Sequence, residues 1–407
     1  MKDILIIAHF TQIPGEKGNG RFHYIAQKLN KRDINIEVVT SSFSHKTKKQ
    51  REISRSQLEK TVDYKLTMVY EPGYKKNISL KRLFSHYIMG KNLKKYLKNR
   101  SRPDLIYCAV PSLSVAKIAA KYAKENNIKF IIDIQDIWPD AFKMVFNIPI
   151  VSNLLFFPLQ KTANFIYSSA DEIIAVSETY AEKALRVNRK VKRAHIVYLG
   201  TNLEQFDKLK NIEKRIRKPK NEFWIAYVGT LGHSYDLVCV IDALKILRSK
   251  GINNIKFIVM GDGPLKEKFE VYAKKNCVET IFTGRLDYSE MVSILTECDV
   301  AVNPITHGAA QSIINKHADY SAAGLPVLNT QESEEYKEIV RKYGIGFNCI
   351  NNNAEDLADK ILLLYYNADI RKIMKKNSRK LAEDKFDRNK TYSEIFKILE
   401  EKIEKTF

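Results

Sequence analysis

The sequence predicts an α/β protein made of two domains, each built around a parallel β-sheet. Short apolar runs alternate with amphipathic helical segments, and this alternation occurs twice, on either side of a polar stretch at 201–221. The runs are apolar throughout, which is typical of strands in a parallel sheet that helices cover on both faces. A chain of 407 residues also exceeds what one hydrophobic core supports.

The first half of the chain begins with the apolar run ILIIA at 4–8, which predicts a buried strand. A glycine-containing loop at 14–20 follows, and then a helix in which Phe22, Ile25 and Leu29 recur at helical spacing. Further strands are predicted at 34–40, 65–70, 104–110, 129–134 and 171–177, with helices near 79–98, 113–125, 150–168 and 178–187.

The second half repeats the pattern and ends in an amphipathic helix near 389–405. Its strands are predicted at 223–229, 255–261, 279–284, 299–304 and 325–330. We therefore expect an N-terminal domain at 1–200, a linker at 201–221, a C-terminal domain at 222–385, and a C-terminal helix at 386–407 that can return to the N-terminal domain.

Composition excludes several classes of protein. The five cysteines are odd in number and form no C-x-x-C pair, so neither a disulfide-stapled module nor a zinc finger is indicated. The N-terminal apolar run is too short for a signal peptide, and no run of 18 apolar residues predicts a transmembrane helix. We expect a cytoplasmic protein.

Positive charge is concentrated in the first half of the chain. The whole chain carries +21, of which residues 1–200 carry +18 and residues 41–100 alone carry +12. Nucleic acid, an anionic membrane surface and a diphosphate-bearing substrate would each suit such a domain. A solvated basic face is the alternative, and composition alone does not separate the four.

Several segments together resemble the family-4 retaining glycosyltransferases, and more specifically their polysaccharide-assembly branch. They occur in that family's order and span almost the whole chain. The segments are PGEKGNGRFHYIAQKLNKRDINIEVVT (14–40), IIDIQDIWPDAF (131–142), VYLGTNLEQF (197–206), VMGDGPLKEKFE (259–270) and ADYSAAGLPVLNT (318–330). The resemblance implies the GT-B fold, in which two Rossmann-like domains with parallel sheets face each other across a cleft.

The resemblance also implies a reaction. A sugar would pass from a nucleoside-diphosphate sugar, bound by the C-terminal domain, to an acceptor hydroxyl at the N-terminal domain, with retention at the anomeric carbon. Neither a metal nor another cofactor is expected. The polysaccharide branch implies a polyprenyl-diphosphate-linked glycan of a capsule, O-antigen or exopolysaccharide, at the inner face of the bacterial membrane.

Other functions stay open at this point. The acceptor could be a protein Ser or Thr or a small molecule, and a nucleotide-sugar epimerase is a further possibility. A basic nucleic-acid-binding protein is the non-enzymatic alternative, but no RRM, KH or zinc-finger signature supports it. We therefore expect no nucleic-acid partner.

The donor diphosphate calls for backbone amides at helix starts and for cations. Gly18 and Gly20 precede the first helix and allow a close approach of backbone to phosphate. Gly229 and Gly232 occupy the equivalent turn of the second domain, and His233 follows them.

The resemblance places the ribose ligand five residues before the glycine of a G-x-P-V turn, at Asp319. Gln311, eight residues earlier, stands where the family usually has a glutamate, so the motif here is Gln-x7-Asp. The family's usual Arg and Lys near the start of the second domain are missing. Lys316, one helical turn before Asp319, and Arg285, after the strand at 279–284, are the candidate cations. Lys316 and Gln311 are also candidate catalytic residues.

Asp136 is the candidate catalytic residue on the acceptor side, because it follows a buried strand and a carboxylate there can accept the proton of the attacking hydroxyl. A shift of register would put Gln135 or Asp133 in that place, and a helix N-cap is the structural alternative for Asp136. Asp140 can equally be a helix-start residue.

Three histidines and one uncharged segment each have an ordinary structural explanation beside a functional one. His23 is expected to pack in the first helix, and His307 and His317 do not form a metal set with Asp319. The uncharged segment 144–160 is either an ordinary core helix or a segment that docks into a membrane interface.

Overall fold

The structure is a computed structural model that describes residues 2–16, 20–30, 34–52, 61–77, 79–140, 149–212, 216–309 and 313–404. Within helix 149–169, side chains are described from residue 155 onward. The chain forms two compact units. The first unit comprises Met1–Tyr198 together with Tyr392–Phe407, and the second comprises Leu199–Thr391.

The first unit is built on a seven-stranded sheet in which every strand is parallel to its neighbours. The strands of the unit are β1 (Lys2–Ile7), β2 (Ile34–Ser41), β3 (Phe43–Ser44), β4 (Lys49–Gln50), β5 (Lys65–Val69), β6 (Leu105–Val110), β7 (Lys129–Ile134), β8 (Glu172–Ala175) and β9 (His195–Ile196). The order in the sheet is β5-β2-β1-β6-β7-β8-β9, while β3 and β4 form a separate antiparallel pair.

Helices connect these strands, as the sequence predicts. They are α1 (Arg21–Asn30), α2 (Leu80–Asn99), α3 (Leu113–Glu125), α4 (Pro149–Ser169) and α5 (Glu178–Leu185). Serine side chains cap two of them: Ser79 accepts a hydrogen bond from the Arg82 amide and Ser177 accepts one from the Tyr180 amide.

The second unit holds a six-stranded sheet that is also wholly parallel. Its strands are β10 (Phe223–Val228), β11 (Ile255–Met260), β12 (Thr280–Gly284), β13 (Val300–Asn303), β14 (Val327–Asn329) and β15 (Gly346–Asn348), in the order β12-β11-β10-β13-β14-β15. In each unit the strand order reverses next to the first strand, and ligands of such sheets bind where the carboxyl ends of those strands diverge.

The helices of the second unit include one in the predicted linker. They are α6 (Leu203–Leu209), α7 (Leu237–Ser249), α8 (Lys266–Lys275), α9 (Tyr288–Leu295), α10 (Asn315–Ala322), α11 (Glu334–Tyr343), α12 (Ala354–Tyr366), α13 (Ala368–Leu381) and α14 (Arg388–Thr391), with a π-helical turn at Ala382–Phe386. Helix α6 lies inside 201–221 and is capped by Asn202. Leu203 and Phe206 of this helix are buried, whereas its polar residues Glu204, Gln205 and Lys208 are exposed and account for part of the polar composition of that stretch.

The last helix, α15 (Ser393–Glu404), belongs to the first unit. Its side chains Ile395 and Leu399 are buried in the same core as Phe22 and Ile25 of α1. Among the residues that the structure describes, no helix is both long and apolar enough to cross a bilayer.

The segment expected at 144–160 is described in part, because residues 144–148 lie outside the described ranges. From residue 155 onward the helix α4 has a mixed surface. Phe156 is buried, whereas Leu155 and Phe157 are exposed. Whether this segment docks into a membrane stays a prediction.

A buried ion pair ties the first sheet to the helices that cover it. Arg21 of α1 donates from Nε to Asp133 of β7 over 2.8 Å and from Nη1 to the Val197 carbonyl over 3.2 Å. Tyr107 of β6 also donates its hydroxyl to Asp133. The Arg21 guanidinium lies 4.7 Å from the ring centroid of Tyr392, just before α15. Asp133, which the sequence offered as an alternative to Asp136 on the acceptor side, is thus a fully buried structural residue.

The change Asp133→Ala should lower the free energy of unfolding by about 3–5 kcal/mol, since it leaves the Arg21 guanidinium buried without its counter-ion. Urea unfolding followed by circular dichroism measures the change. The matched control is Glu182→Ala, which removes an exposed pair with Arg186 and should change stability by at most about 1 kcal/mol. Equal effects of the two variants would contradict a stabilising role for the buried pair.

Candidate functional site

Glycines allow the loops after β10 and β11 to pack backbone against backbone. A Cβ on Gly261 would lie 1.8 Å from the Gly229 carbonyl oxygen, and one on Gly263 would lie 2.4 Å from that of Leu231. The Gly229 amide donates to the Met260 carbonyl over 3.0 Å. That amide is therefore engaged inside the protein, so the expectation that it faces a phosphate is not met.

Gly229 instead makes room for the amine of Lys316, on the first turn of α10. A Cβ on Gly229, which has φ +146°, would lie 3.1 Å from Nζ of Lys316. This amine lies 4.1 Å from the ring centroid of Tyr227 and 4.0 Å from that of Tyr235, a cation–π arrangement on two sides. The structure thus brings together Lys316 and Gly229, two residues that the sequence singled out.

The amine of Lys316 is buried and, within the described residues, has no hydrogen-bond partner. Burial holds the pKa of Lys316 well below its usual value near 10.5. A buried, unpaired amine is costly, and an anion that reached it would supply both the missing hydrogen bonds and the missing counter-charge. This arrangement points to an anion-binding function.

Tyr320 fixes α10 in place over the sheet. Its hydroxyl accepts a hydrogen bond from the Val228 amide over 2.9 Å and donates to the Val302 carbonyl over 3.1 Å. These two contacts join α10 to β10 and β13, the strands at which the order reverses. The position of Lys316, one turn before Tyr320, is therefore set by backbone contacts of the sheet.

Asp319 lies on α10 one helical turn after Lys316, and it is held by a chain of hydroxyl groups. Tyr288 of α9 donates to Oδ1 of Asp319 over 2.9 Å, and the Tyr288 oxygen lies 2.7 Å from Oγ1 of Thr201. Burial raises the pKa of Asp319 to about 6. The carboxyl group is thus oriented by a tyrosine that the sequence did not single out.

The turn that holds Gly232 and His233 is tied to the loop after β13. Thr306 donates its hydroxyl to the His233 carbonyl over 2.9 Å, and the Asp236 amide donates to the Pro304 carbonyl over 2.9 Å. The His233 side chain is exposed. These bonds place Gly232 and His233 where the loop after β10 meets the loop after β13, near Lys316.

Arg285, the other predicted cation, is exposed and directly follows Gly284 at the end of β12. The structure adds a cation there that the sequence did not single out. Nζ of Lys266 lies 3.8 Å from the position of a Cβ on Gly284 and 3.6 Å from a carboxylate oxygen of Glu270. The sequence does contain a clue to Lys266, because this lysine follows the proline of the GDGP segment by two residues.

The glycines before α1 are only partly described. Gly20 has φ +65°, a conformation that favours glycine, and its amide donates to Oε1 of Gln12 over 3.2 Å. Its amide is thus occupied by a side chain of the same loop. Gly18 and Gln311 lie outside the described residues, so their roles stay predictions.

The other histidines named from the sequence have structural surroundings. His23 lies 2.6 Å from the hydroxyl of Tyr64. His307 is exposed and lies 2.7 Å from Glu332. His317 is buried and stacks on Tyr336, with ring centroids 3.5 Å apart.

In the first unit, polar residues meet at the carboxyl ends of the strands around His9 and Glu71. Nδ1 of His9 lies 2.6 Å from Oγ of Ser112, and its Nε2 lies 2.6 Å from Oε2 of Glu71. Glu71 also accepts hydrogen bonds from Ser41 over 2.6 Å and from Ser85 over 2.7 Å. This buried network links the ends of β1, β2, β5 and β6 with α2.

Asp136 lies next to this network, after β7 as predicted. Its oxygens accept hydrogen bonds from the Ile137 amide over 2.8 Å and from Nε1 of Trp138 over 3.1 Å. Burial raises the pKa of Asp136, and the guanidinium of Arg82 lies 4.5 Å from the Trp138 ring. Gln135 has its amide nitrogen Nε2 buried without a hydrogen-bond partner in the described part of the chain.

Asp140, proposed as a simple helix-start residue, forms an ion pair with Lys183 of α5. The partner comes from an element 43 residues away in the sequence. The contact therefore ties the end of the Asp136 segment to α5.

One group of described residues has the composition of a metal site: His9, Glu71 and His86 offer ligand atoms within 4.8 Å of one another. The Glu71 oxygens, however, already accept hydrogen bonds from His9, Ser41 and Ser85. Burial, and then nearby positive charges that include Arg82, lower the pKa of His86. His9 and Glu71 therefore belong to a hydrogen-bonded network, whereas Nε2 of His86 has no hydrogen-bond partner among the described residues. The predicted absence of a metal stays a prediction.

Sequence comparison matches most of the chain to two protein-family models. The model described as "Glycosyltransferase Family 4" matches residues 21–205, and the one described as "Glycosyl transferases group 1" matches residues 209–381. Curated relatives include an uncharacterized glycosyltransferase of Methanocaldococcus jannaschii, 24% identical over 61% of this chain and 63% of the relative. Another is the capsular polysaccharide biosynthesis glycosyltransferase CapM of Staphylococcus aureus, 26% identical over 58% of this chain and 62% of the relative. The chain thus aligns with about three fifths of the length of these relatives.

Solved structures share the fold over the whole chain. The Anabaena protein HepE in complex with UDP-glucose superposes with a TM-score of 0.68 at 15% identity, covering 98% of this chain and 100% of the other. WaaG, a glycosyltransferase involved in lipopolysaccharide biosynthesis, superposes with a TM-score of 0.64 at 15% identity, covering 96% and 99%. The two parallel sheets and these neighbours define a protein of the glycosyltransferase GT-B fold, as predicted. The chain belongs to glycosyltransferase family 4.

The change Lys316→Met should raise the free energy of unfolding near neutral pH by about 1–3 kcal/mol, because it removes a buried amine that lacks a partner. The gain should depend on pH. Below its ordinary pKa of about 10.4, the unfolded chain keeps the lysine protonated, whereas the folded protein releases the proton at a lower pH. The stability of the unchanged protein therefore rises with pH across that window, and the advantage of the methionine variant shrinks.

Urea unfolding at several pH values measures this difference. The matched control is Lys372→Met, which alters an exposed lysine of α13 and should change stability by no more than about 0.5 kcal/mol. A loss of stability in Lys316→Met would mean that the amine has a stabilising partner.

Proposed function

We propose that the protein is a retaining glycosyltransferase that moves a sugar from a nucleoside-diphosphate sugar to an acceptor hydroxyl. The observation that carries the proposal is the buried amine of Lys316 at the carboxyl ends of β10 and β13, for which the described residues provide no hydrogen-bond partner. The neighbouring HepE structures are complexes with UDP and with UDP-glucose, which supports a donor of this class. Family membership supports the same chemistry.

The donor diphosphate would bind at Lys316. Its oxygens would complete the hydrogen bonding of the amine, and Gly229 leaves the space because it has no side chain. As the bond from sugar to diphosphate breaks, negative charge builds up on the leaving group. A desolvated amine that the bound diphosphate keeps protonated stabilises that charge more strongly than a solvated one does. Arg285 and Lys266 would add positive charge at the end of β12.

Asp319 would bind the ribose of the donor. An ionised carboxylate can accept hydrogen bonds from both hydroxyls of a diol. The bond from Tyr288 to Oδ1 fixes the carboxyl orientation and leaves Oδ2 for the ligand. Because Lys316 and Asp319 are one helical turn apart, one helix would position both the diphosphate and the ribose.

The first unit would bind the acceptor at the carboxyl ends of its strands. Asp136 is the proposed acceptor of the proton from the attacking hydroxyl, and its raised pKa suits that role near neutral pH. Nε2 of Gln135, which has no hydrogen-bond partner in the described part of the chain, offers a hydrogen-bond donor to the acceptor.

We further propose a polyprenyl-diphosphate-linked glycan as acceptor, in the assembly of a capsule or a related bacterial polysaccharide. The name of the relative CapM and the charge of +18 on residues 1–200 support this choice. The enzyme would then work in the cytoplasm at the inner face of an anionic membrane and without a metal, other cofactor or nucleic acid. Product analysis separates a glycolipid from a glycopeptide or a small glycoside, and activity in EDTA tests metal independence.

Nucleoside diphosphates should raise the melting temperature of the protein, since a ligand at 100 times its Kd contributes about 2.7 kcal/mol. Thermal shift with UDP, GDP, ADP, CDP and dTDP would identify the base. The variant Lys316→Met should weaken the preferred nucleotide about 10- to 100-fold, because a hydrogen bond to a charged group contributes about 1.5–3 kcal/mol. Lys372→Met serves as the control and should bind normally. Unchanged affinity in Lys316→Met would remove Lys316 from the donor site.

Turnover should fall on the acid side with an apparent pKa near 6, because Asp319 has its pKa raised to about 6 and binds the ribose diol only when ionised. The profile of kcat/KM against pH for the donor measures this. Asp319→Asn should show a lower kcat/KM and no such acid limb. In the control Asp242→Asn, on α7, an amide oxygen replaces the carboxylate that accepts a similar bond of 2.8 Å from Tyr272, and this variant should keep the limb. An acid limb that persists in Asp319→Asn would assign it to another group.

A further inference from the structure

Helix α2 of the first unit has an exposed face that nothing in the described chain covers. Its inner face is buried through Met89, Leu93 and Leu97, and Gly90 brings it against α3, where an added Cβ would lie 3.3 Å from the Ser114 carbonyl oxygen. The helix is thus fixed to the unit by one face. The same contacts leave the opposite face of the helix on the outside of the unit.

The first half of that outer face is apolar. Leu80 is 84% exposed, Phe84 58% and Tyr87 62%, and Leu83 beside them is 43% exposed. Steps of three and four residues separate Leu80, Phe84 and Tyr87, so these side chains form one stripe along the helix. Four large exposed side chains together on one helix face mark a contact surface.

The second half of the same face is basic. The stripe continues at the same spacing into exposed lysines, which are Lys91, Lys94, Lys95 and Lys98. Residues 72–103, which include the whole helix, contain ten Lys and Arg and no Asp or Glu. Apolar and cationic groups are therefore segregated along one face, with no acidic group in the segment to neutralise the lysines.

We propose that this face of α2 docks on an anionic membrane surface, with Leu80, Leu83, Phe84 and Tyr87 inserted among the acyl chains and the lysines against the lipid headgroups. A bilayer interface offers an apolar layer and a negatively charged layer next to each other, as the helix face requires. Tyrosine and lysine suit it because each has an apolar body and a polar tip. A protein partner fits less well, since the cores of protein interfaces are depleted in lysine.

This docking surface adds a membrane-binding site to the proposed function. It rests on that function in one respect, which is that a lipid-linked acceptor would bring the enzyme to a bilayer. It is distinct from the donor site, since α2 belongs to the first unit and α10 to the second. Nucleotide binding in the absence of vesicles therefore reports on the donor site alone. A failure of membrane docking and a failure of the proposed function can be told apart.

Flotation of the full chain with vesicles of phosphatidylcholine containing about 30% phosphatidylglycerol tests the proposal. The protein should float with these vesicles at low salt, and much less with pure phosphatidylcholine or at high salt. The double variant Leu80→Gln/Phe84→Gln should bind at least about ten-fold more weakly. The variant Lys91→Gln/Lys95→Gln should lose most of the dependence on anionic lipid.

The matched control is Val271→Gln/Ile373→Gln, which alters two side chains of the second unit that are each 61% exposed. It should float like the unchanged protein, and every variant should keep the nucleotide-induced thermal shift. Three results would overturn the proposal: no binding to anionic vesicles, equal losses in the control and the α2 variant, or unaltered binding of the α2 variant. A change from dimer to monomer in Leu80→Gln/Phe84→Gln, with vesicle binding intact, would assign the face to a second copy of the chain.

Discussion

The candidate site of the second unit depends on the buried amine of Lys316, which has no hydrogen-bond partner among the residues that the structure describes. The amine sits between the rings of Tyr227 and Tyr235, and burial lowers its pKa. A folded protein gains nothing from such a group unless a ligand completes it. The cost of burying this amine therefore supports the proposal that Lys316 serves binding rather than folding.

Backbone contacts around Lys316 explain how the fold tolerates this amine. Gly261 and Gly263 let the loop after β11 pack against the loop after β10. In the loop after β10, Gly229 has no side chain and therefore leaves room for the amine of Lys316. Tyr320 then joins α10 to both central strands. These contacts fix the position of α10 and with it the backbone of Lys316.

The sequence predicted the fold well, because apolar strands and amphipathic helices are local patterns. The strands missed were the short ones: β9 and the pair β3 and β4 have two residues each, and β15 has three, too few to show a pattern. The helix α6 was also missed, since its polar surface resembles that of a linker. Parallel pairing followed from the alternation of strands and helices, because parallel neighbours need a crossover connection.

The candidate site was predicted in part. Asp319 was singled out through the family resemblance of its motif, and Lys316 because it lies one helical turn before Asp319. The network of His9 and Glu71 could not be found, because its members are 62 residues apart and meet only where strand ends converge. Nor could the sequence show that the Gly229 amide bonds to Met260. Which carbonyl an amide meets is set by the packing of two loops, and no local pattern records it.

The most direct test of the account is the number of protons exchanged when the preferred nucleoside diphosphate binds. Isothermal titration at about pH 8 in buffers of different ionisation enthalpy measures this number, and at that pH the Asp319 carboxyl is already ionised. If the diphosphate recharges the amine of Lys316, the protein should take up as much as one proton per nucleotide, and Lys316→Met should take up none. An equal proton count in the two proteins, or no uptake by the unchanged protein, would contradict the account.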